Sequence, residues 1–242
     1  MPTKPKRPYQ PKTGAIEREY ARQLRKVARH VGDIINAFVP GDPAADPVIR
    51  RTLDDYAEAI THWATLTAGR MLSNVKQQDD AAWRARANEM SVALRDEILN
   101  APTGATIRAL LDEQVALIKS IPLDAAQRVH EWTLAGLEDA TRSKEVAVAI
   151  LESNDVAANR ATLIARTEVA RTASKLTEAR AKHVGSDGYI WRTCGEADVR
   201  ESHRGMNGKY VPWSSPPTLD NLTGHAGCLP NCRCYPEPVI PD

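Results

Sequence analysis

Four cysteines occur in 242 residues, and three of them fall within seven positions near the end of the chain. Cys228, Cys232 and Cys234 lie in "GHAGCLPNCRC", with His225 three residues before the first. Cys194 lies upstream in "WRTCGEADVRESHRG", nine residues before His203. Cysteine and histidine gathered this way point to a metal, a disulfide or a nucleophile. Zinc takes four N or S ligands in a tetrahedron, commonly as thiolate pairs two to four residues apart. Cys228 with Cys232 or Cys234 supplies one pair, and Cys194 with His203 supplies another once the chain folds back. The predicted ligands of a structural zinc are Cys194, Cys228, Cys232 and Cys234, with His203 or His225 as substitutes. Three alternatives stay open: reduced cysteines without metal, a disulfide formed after release from the cell, and a nucleophilic cysteine. For the last, Arg233 beside Cys232 favours a thiolate, but the sequence assigns it no base and no orienting group.

Other polar motifs carry less. "DVRESH" sets Asp198, Arg200 and His203 close together, and an Asp with a His can act as an acid–base pair. An Asp–Arg ion pair beside a hydrogen-bonded His is the simpler expectation. "ARTEVAR" at 165–171 places Arg166 and Glu168 on a helix. Residues two apart face different ways, so a buried ion pair from this helix to the "YIW" strand is expected rather than catalysis. There is no Gly-rich phosphate loop, no H-E-x-x-H and no G-x-S-x-G. No catalytic residue is predicted, and the chain reads as a non-enzyme. His30, His62, His130 and His183 are scattered along helical stretches as surface or interface residues. Trp63, Trp83 and Trp132 fall in apolar stripes and read as core anchors, whereas Trp213, among prolines, reads as an interface residue.

The elements that position these residues follow from composition and period. Aromatic residues make up only 5% of the chain and charged ones 26%, which points to helices with narrow aliphatic stripes. The net charge of +1 argues against a global nucleic-acid binder. Residues 1–30, however, hold nine Lys or Arg against Glu17 and Glu19, a net of +7. Pro2, Pro5, Pro8 and Pro11 repeat at the three-residue period of polyproline II. Residues 1–13 are therefore a basic arm, either disordered or docked on a partner or DNA. The longest aliphatic run, "VAVAIL" at 146–151, falls far short of the roughly 20 residues of a membrane span. The first residues lack the apolar core of a signal peptide. A reducing cytosol is expected during synthesis, where clustered cysteines favour zinc.

From Gly14 the spacing of Ile16, Tyr20, Leu24, Val27, Val31 and Ile34 predicts an amphipathic helix. A second is predicted to be capped by Asp46 with Pro47 at its first position, running through Ile49, Leu53 and Ile60 to Met71. A third opens at Asp79 or Asp80 and carries Trp83, Met90, Leu94 and Ile98. After "NAPTG" at 100–104 a fourth carries Ile107, Leu110 and Ile118. "SIPLD" at 120–124 is read as a turn into a fifth, "SKEVAVAILES" as a short sixth, and Asn154 or Asp155 as the cap of a seventh reaching His183. Beyond "VGSDG", "YIWRT" alternates like a strand, and the rest is rich in Pro, Gly, Ser and Asn. The fold class expected is mainly α: a multi-helix N-terminal body over 14–154 and a small α+β, loop-rich C-terminal lobe over 155–242.

Taken in order, "ARTEVAR", "YIWRT", "DVRESHRGMNGK", the "PP" at 216–217 and "CRC" resemble the phage Mu F-like head morphogenesis family, minor head proteins of tailed phages. The resemblance covers roughly residues 100–240 and is strongest from Arg166 onward. It places Arg166, Glu168, Tyr189, Trp191, Asp198, Arg200, His203, Gly208, Cys232, Arg233 and Cys234 at family motif positions. It implies a structural protein of the virion, present in several copies inside the phage head near the portal vertex, in contact with portal protein and with major capsid or scaffolding protein. It implies roles in head assembly, DNA packaging or ejection, and residence in the host cytoplasm during assembly. The basic arm adds packaged DNA as an expected contact; no membrane partner is expected. Some relatives carry a toxin domain after this module; with eight residues after Cys234, none is expected here. Two other classes remain open, a zinc-dependent hydrolase or nuclease using Asp198 and His203, and a DNA-binding accessory protein using the arm.

Overall fold

The computed structural model describes residues 12–39, 42–87, 92–138 and 143–241, so the arm lies outside the described residues except for its last two positions. The chain is mainly α. Its helices are α1 (Gly14–Asn36), α2 (Asp46–Ala59), α3 (Thr61–Ala87), α4 (Val92–Leu99), α5 (Gly104–Glu138), α6 (Ser143–His183) and the short α7 (Glu201–Arg204). The strands are β1 (Gly188–Arg192), β2 (Tyr210–Pro212), β3 (Thr218–Leu219), β4 (Leu222–Thr223) and β5 (Tyr235–Pro238). Two compact units divide the residues. A helical unit takes Arg18–Gly69 and Leu111–Ala165; the other takes Arg70–Leu110 and Arg166–Asp242 with the residues up to Glu17.

In the helical unit, Tyr20, Leu24, Val27, Val31 and Ile35 of α1 are buried on one face, as their three- and four-residue spacing requires. Ile49 and Leu53 of α2, Ile118, Ile121 and Val129 of α5, and Ala157, Ala161 and Ile164 of α6 are buried with them. Burying each large aliphatic side chain is worth about 1.5–3 kcal/mol. The expected cap of α2 is corrected: Ala45 is the N-cap, and Asp46 lies inside the helix. Its Oδ2 meets His130 Nδ1 at 3.0 Å and Arg50 at 3.9 Å, so the carboxylate ties α2 to α5. "SIPLD" is not a turn either; Pro122 sits inside α5. A helical proline forfeits one backbone hydrogen bond, and the Ser120 hydroxyl donates to the nearby Leu117 carbonyl at 2.9 Å. Likewise the sixth and seventh predicted helices are one, α6, with Asn154 and Asp155 in its interior.

In the second unit, β1 is the middle of an antiparallel sheet of order β2-β1-β5. Gly188 pairs with Pro212, and a Cβ there would lie 2.5 Å from the Val211 carbonyl and the Tyr210 hydroxyl. On the other side, Trp191 pairs with Pro236 and Tyr189 with Pro238. Tyr189, Trp191, Val211, Trp213, Ala226 and Leu229 form the apolar centre with Ala181 of α6. Trp213 is thus a core residue, 4% exposed, its indole donating to Ser186 Oγ at 3.2 Å; the interface expectation is corrected. Of the other three tryptophans, Trp83 is fully buried, whereas Trp63 and Trp132 are half-buried. Asp79 does not open a helix, because α3 runs through it. It is fully buried and accepts from Arg180 Nε at 2.7 Å. Arg180 also donates to Asp80 and to the Ile98 carbonyl. A chain-breaking reading fails at Asp79 because a buried arginine supplies the charge that makes an acidic residue tolerable inside a helix.

Candidate metal centre

The segment entering β5 and the short α7 bring three potential ligands together. His203 is 2% exposed, Cys232 3% and Cys234 4%. His203 Nδ1 lies 3.4 Å from Cys232 Sγ and 3.6 Å from Cys234 Sγ, and all three ligand atoms fall within 4.8 Å of one another. Zn–S bonds near 2.3 Å and Zn–N bonds near 2.0–2.1 Å set tetrahedral N···S separations at about 3.6 Å. The trio fits that ion with little adjustment. Trp191 meets the imidazole at 89° with ring centroids 5.6 Å apart, which orients the ring. His203 Nε2 is buried without a hydrogen-bond partner among the described residues.

Charge at the trio is divided unequally. The Cys232 thiol is held down to about 6, first by a hydrogen bond from Cys234, against the opposing pull of burial. Backbone N–H groups of Cys234 and Gly227 and the charge of His203 add to this. Cys234 is pushed up because its proton is shared with Cys232. One proton shared between the two sulfurs thus favours a thiolate at Cys232 over one at Cys234. A divalent cation takes that proton off, since coordinated thiols are deprotonated.

Local chain geometry explains the placement. Gly227 has φ +81°, and a Cβ there would lie 2.9 Å from the Cys234 carbonyl and 3.2 Å from that of Ala170, so only glycine lets the loop reach α6. Asn231 has φ 59°, a conformation asparagine tolerates, just before Cys232. Its backbone N–H donates to Thr167 Oγ1 at 2.9 Å, and its Oδ1 accepts from Arg166 at 2.8 Å. Arg233 is fixed by Glu17 at 2.8 Å and Glu196 at 2.6 Å. Arg200 donates to the Pro230 carbonyl. Around these contacts a depression of about 50 Å³ is lined by Arg166, Cys194, Glu196, Asp198, Arg200, His203, Asn231, Cys232, Arg233 and Cys234, with Val199.

Most of the motif residues read from sequence thus meet at one place, although they span almost 70 positions. Two of the six candidate ligands do not. Cys228 donates toward Ser174 Oγ at 3.6 Å, and burial pushes its thiol up. His225 lies 3.2 Å from the Tyr189 hydroxyl, and burial pushes its pKa down. Cys194 lines the depression but is not one of the close trio. Of the "ARTEVAR" residues, Arg166 turns to Asn231 and Glu17, and Glu168 pairs with Arg171 one turn along the same helix. Asn231, Glu17, Glu196 and Thr167 were missed; the asparagine in "PNCRC", a residue type favoured at positive φ, was the legible signal.

Residues 127–236 match the family described as Phage Mu protein F like protein. Over this region the chain is similar to that family. An uncharacterized protein of Haemophilus influenzae (strain ATCC 51907 / DSM 11121 / KW20 / Rd) is 29% identical over 154 residues, covering 63% of this chain. The chain spans only about a third of that relative, 34% of its length. No solved structure matches the chain.

Proposed function

We propose that this chain is a structural minor head protein of a tailed phage. It is held inside the head near the portal vertex in several copies, and acts in head morphogenesis, DNA packaging or ejection. The observation that carries the reading is the Mu F-like match over 127–236, with its motif residues converging on one depression. Residues 155–242, as the C-terminal module, hold the greater part of that match. A non-enzymatic role agrees with how the polar groups are used: Arg166, Arg200 and Arg233 are engaged by Asn231, Pro230, Glu17 and Glu196. Portal protein and major capsid or scaffolding protein are its partners. Arg18, Arg22, Arg25 and Arg29 are exposed at three- and four-residue spacing on α1. With the basic arm they favour acidic portal surface or packaged DNA. Among the described residues no helix is long and apolar enough to cross a membrane.

Zinc at His203, Cys232 and Cys234 is part of this proposal, as the clip of a loop-rich lobe. A second reading has one observation in its favour. Three ligands leave a fourth position facing a depression with Asp198 on its lining, and an open position is what a catalytic zinc keeps.

Quantitative mass spectrometry of purified heads tests the main proposal. A few copies per particle, falling when residues 2–13 are deleted, is the expected result; absence from heads overturns it. Hydrolysis of ester, peptide or nucleic-acid substrates that disappears in a folded Asp198→Ala chain would replace the structural reading with the enzymatic one.

A further inference from the structure

The fourth coordination position decides between those readings, and the fold offers a thiol for it. β1 and β5 leave their sheet side by side at the Arg192–Tyr235 pair. Cys194 lies two residues beyond Arg192, and Cys234 one residue before Tyr235. The two cysteines are therefore on adjacent outgoing segments of an antiparallel pair. Both line the same depression as His203 and Cys232. Cys194 is only half-buried, so rotation about its single χ1 torsion, among three staggered wells, costs little packing.

We propose that Cys194 swings into the depression and closes the centre as a Cys₃His zinc site with Cys232, Cys234 and Nδ1 of His203. This rests on the zinc reading given above and deepens it. Thiolate is a preferred donor for zinc, and Cys₃His is a closed structural set. Asp198, the competing donor, is exposed and keeps its hydration. Charge also balances: three thiolates and a neutral imidazole give the loaded centre a net charge of −1, and Arg166, Arg200 and Arg233 line the same depression. Closure ties three stretches that share few backbone hydrogen bonds at this end: the exit of β1, α7, and the entry to β5. Cys228 stays outside, on Ser174.

The test uses the full chain purified without chelator, its zinc content, and cobalt(II) as a spectroscopic substitute. One equivalent of zinc is expected in the wild-type chain and in Cys228→Ser. Cys194→Ser is expected to bind at least tenfold more weakly, by analogy with the loss from outer-shell changes. Its cobalt–thiolate charge-transfer band should drop by about one third, as three thiolates become two. An unchanged affinity and band in Cys194→Ser removes Cys194 from the site while leaving the trio standing. No zinc or cobalt bound to the wild-type chain overturns the zinc reading and this proposal together. Thiol alkylation of the wild-type chain gives a readout that needs no variant. Cys194 should be protected when zinc is bound and modified after its removal, and equal modification in both states overturns the proposal.

Discussion

In the helical unit most buried side chains are aliphatic and repeat every three or four residues, as along α1 from Leu24 to Ile35, with Asp46, Thr67, Gln114 and Thr133 buried among them. In the other unit the fully buried large side chains include Trp83, Trp191, Tyr189 and Arg180. There Asp79, Glu168, His203 and His225 are also buried. The first unit rests on area removed from water, which is non-directional and tolerant of shape. The second rests on paired polar groups, whose loss leaves a charge or donor stranded. The two should therefore fail differently.

The sharpest break is expected at Asp79→Ala. It removes the fully buried carboxylate held by Arg180 Nε and leaves the guanidinium, 1% exposed, to the more exposed Asp80; breaking this buried pair should cost about 3–5 kcal/mol, read from denaturant unfolding. A loss under about 1 kcal/mol would show that burial, not pairing, holds the second unit. In the helical unit, Leu24→Ala should cost about 3 kcal/mol, while Leu24→Met should cost under about 1.5 kcal/mol. If the methionine is as damaging as the alanine, that core is as shape-specific as its counterpart. Gly227→Ala should cost about 2 kcal/mol from its left-handed backbone and the 2.9 Å approach, with the helical circular dichroism signal retained.

Acid separates the units more gently. Burial lowers the pKa of His225, so below about pH 6.5 the unfolded chain binds the proton that the folded chain refuses. Stability then falls as pH drops through that window, by at most about 1.4 kcal/mol per pH unit for one proton, and it is unaffected above it. Urea midpoints at pH 7.5 and 5.5, with His225→Gln as control, measure it; an equal slope in the control removes His225 as the cause. The smallest effect is expected at Lys119→Ala. Its partner Glu58 is largely exposed, so the change should stay within about 0.5 kcal/mol.

The same contrast explains what the sequence made legible. Period marks a face whose only task is to be apolar, so the stripes of α1 and α2 could be read directly, as could the strand at Tyr189 to Arg192. Breaks were harder, because their signals are local and their outcomes are not. Asp79 looks like a cap until Arg180, 101 positions later, neutralises it. Pro122 looks like a turn until the surrounding helix is seen to outlast one missing hydrogen bond. At the candidate metal centre the residue types were legible in "ESHRG" and "CRC". Which histidine meets which sulfur was not, since α7 and the β5 entry are brought together by Arg200, Asn231 and Gly227, whose roles are backbone conformation and long-range contact.

The two prolines of β5 have an effect on neighbouring molecules as well as on the strand. Val239 donates its N–H to Gly188, so the odd-numbered amides of this strand face β1 and the even-numbered positions face outward. Those outward positions are Pro236 and Pro238, which have no N–H to offer. One outward acceptor, the Pro238 carbonyl, is already taken by Arg86 at 3.0 Å. An edge without donors cannot template the strand of another copy. Two copies of the chain can therefore meet at this edge without seeding a cross-β aggregate along it.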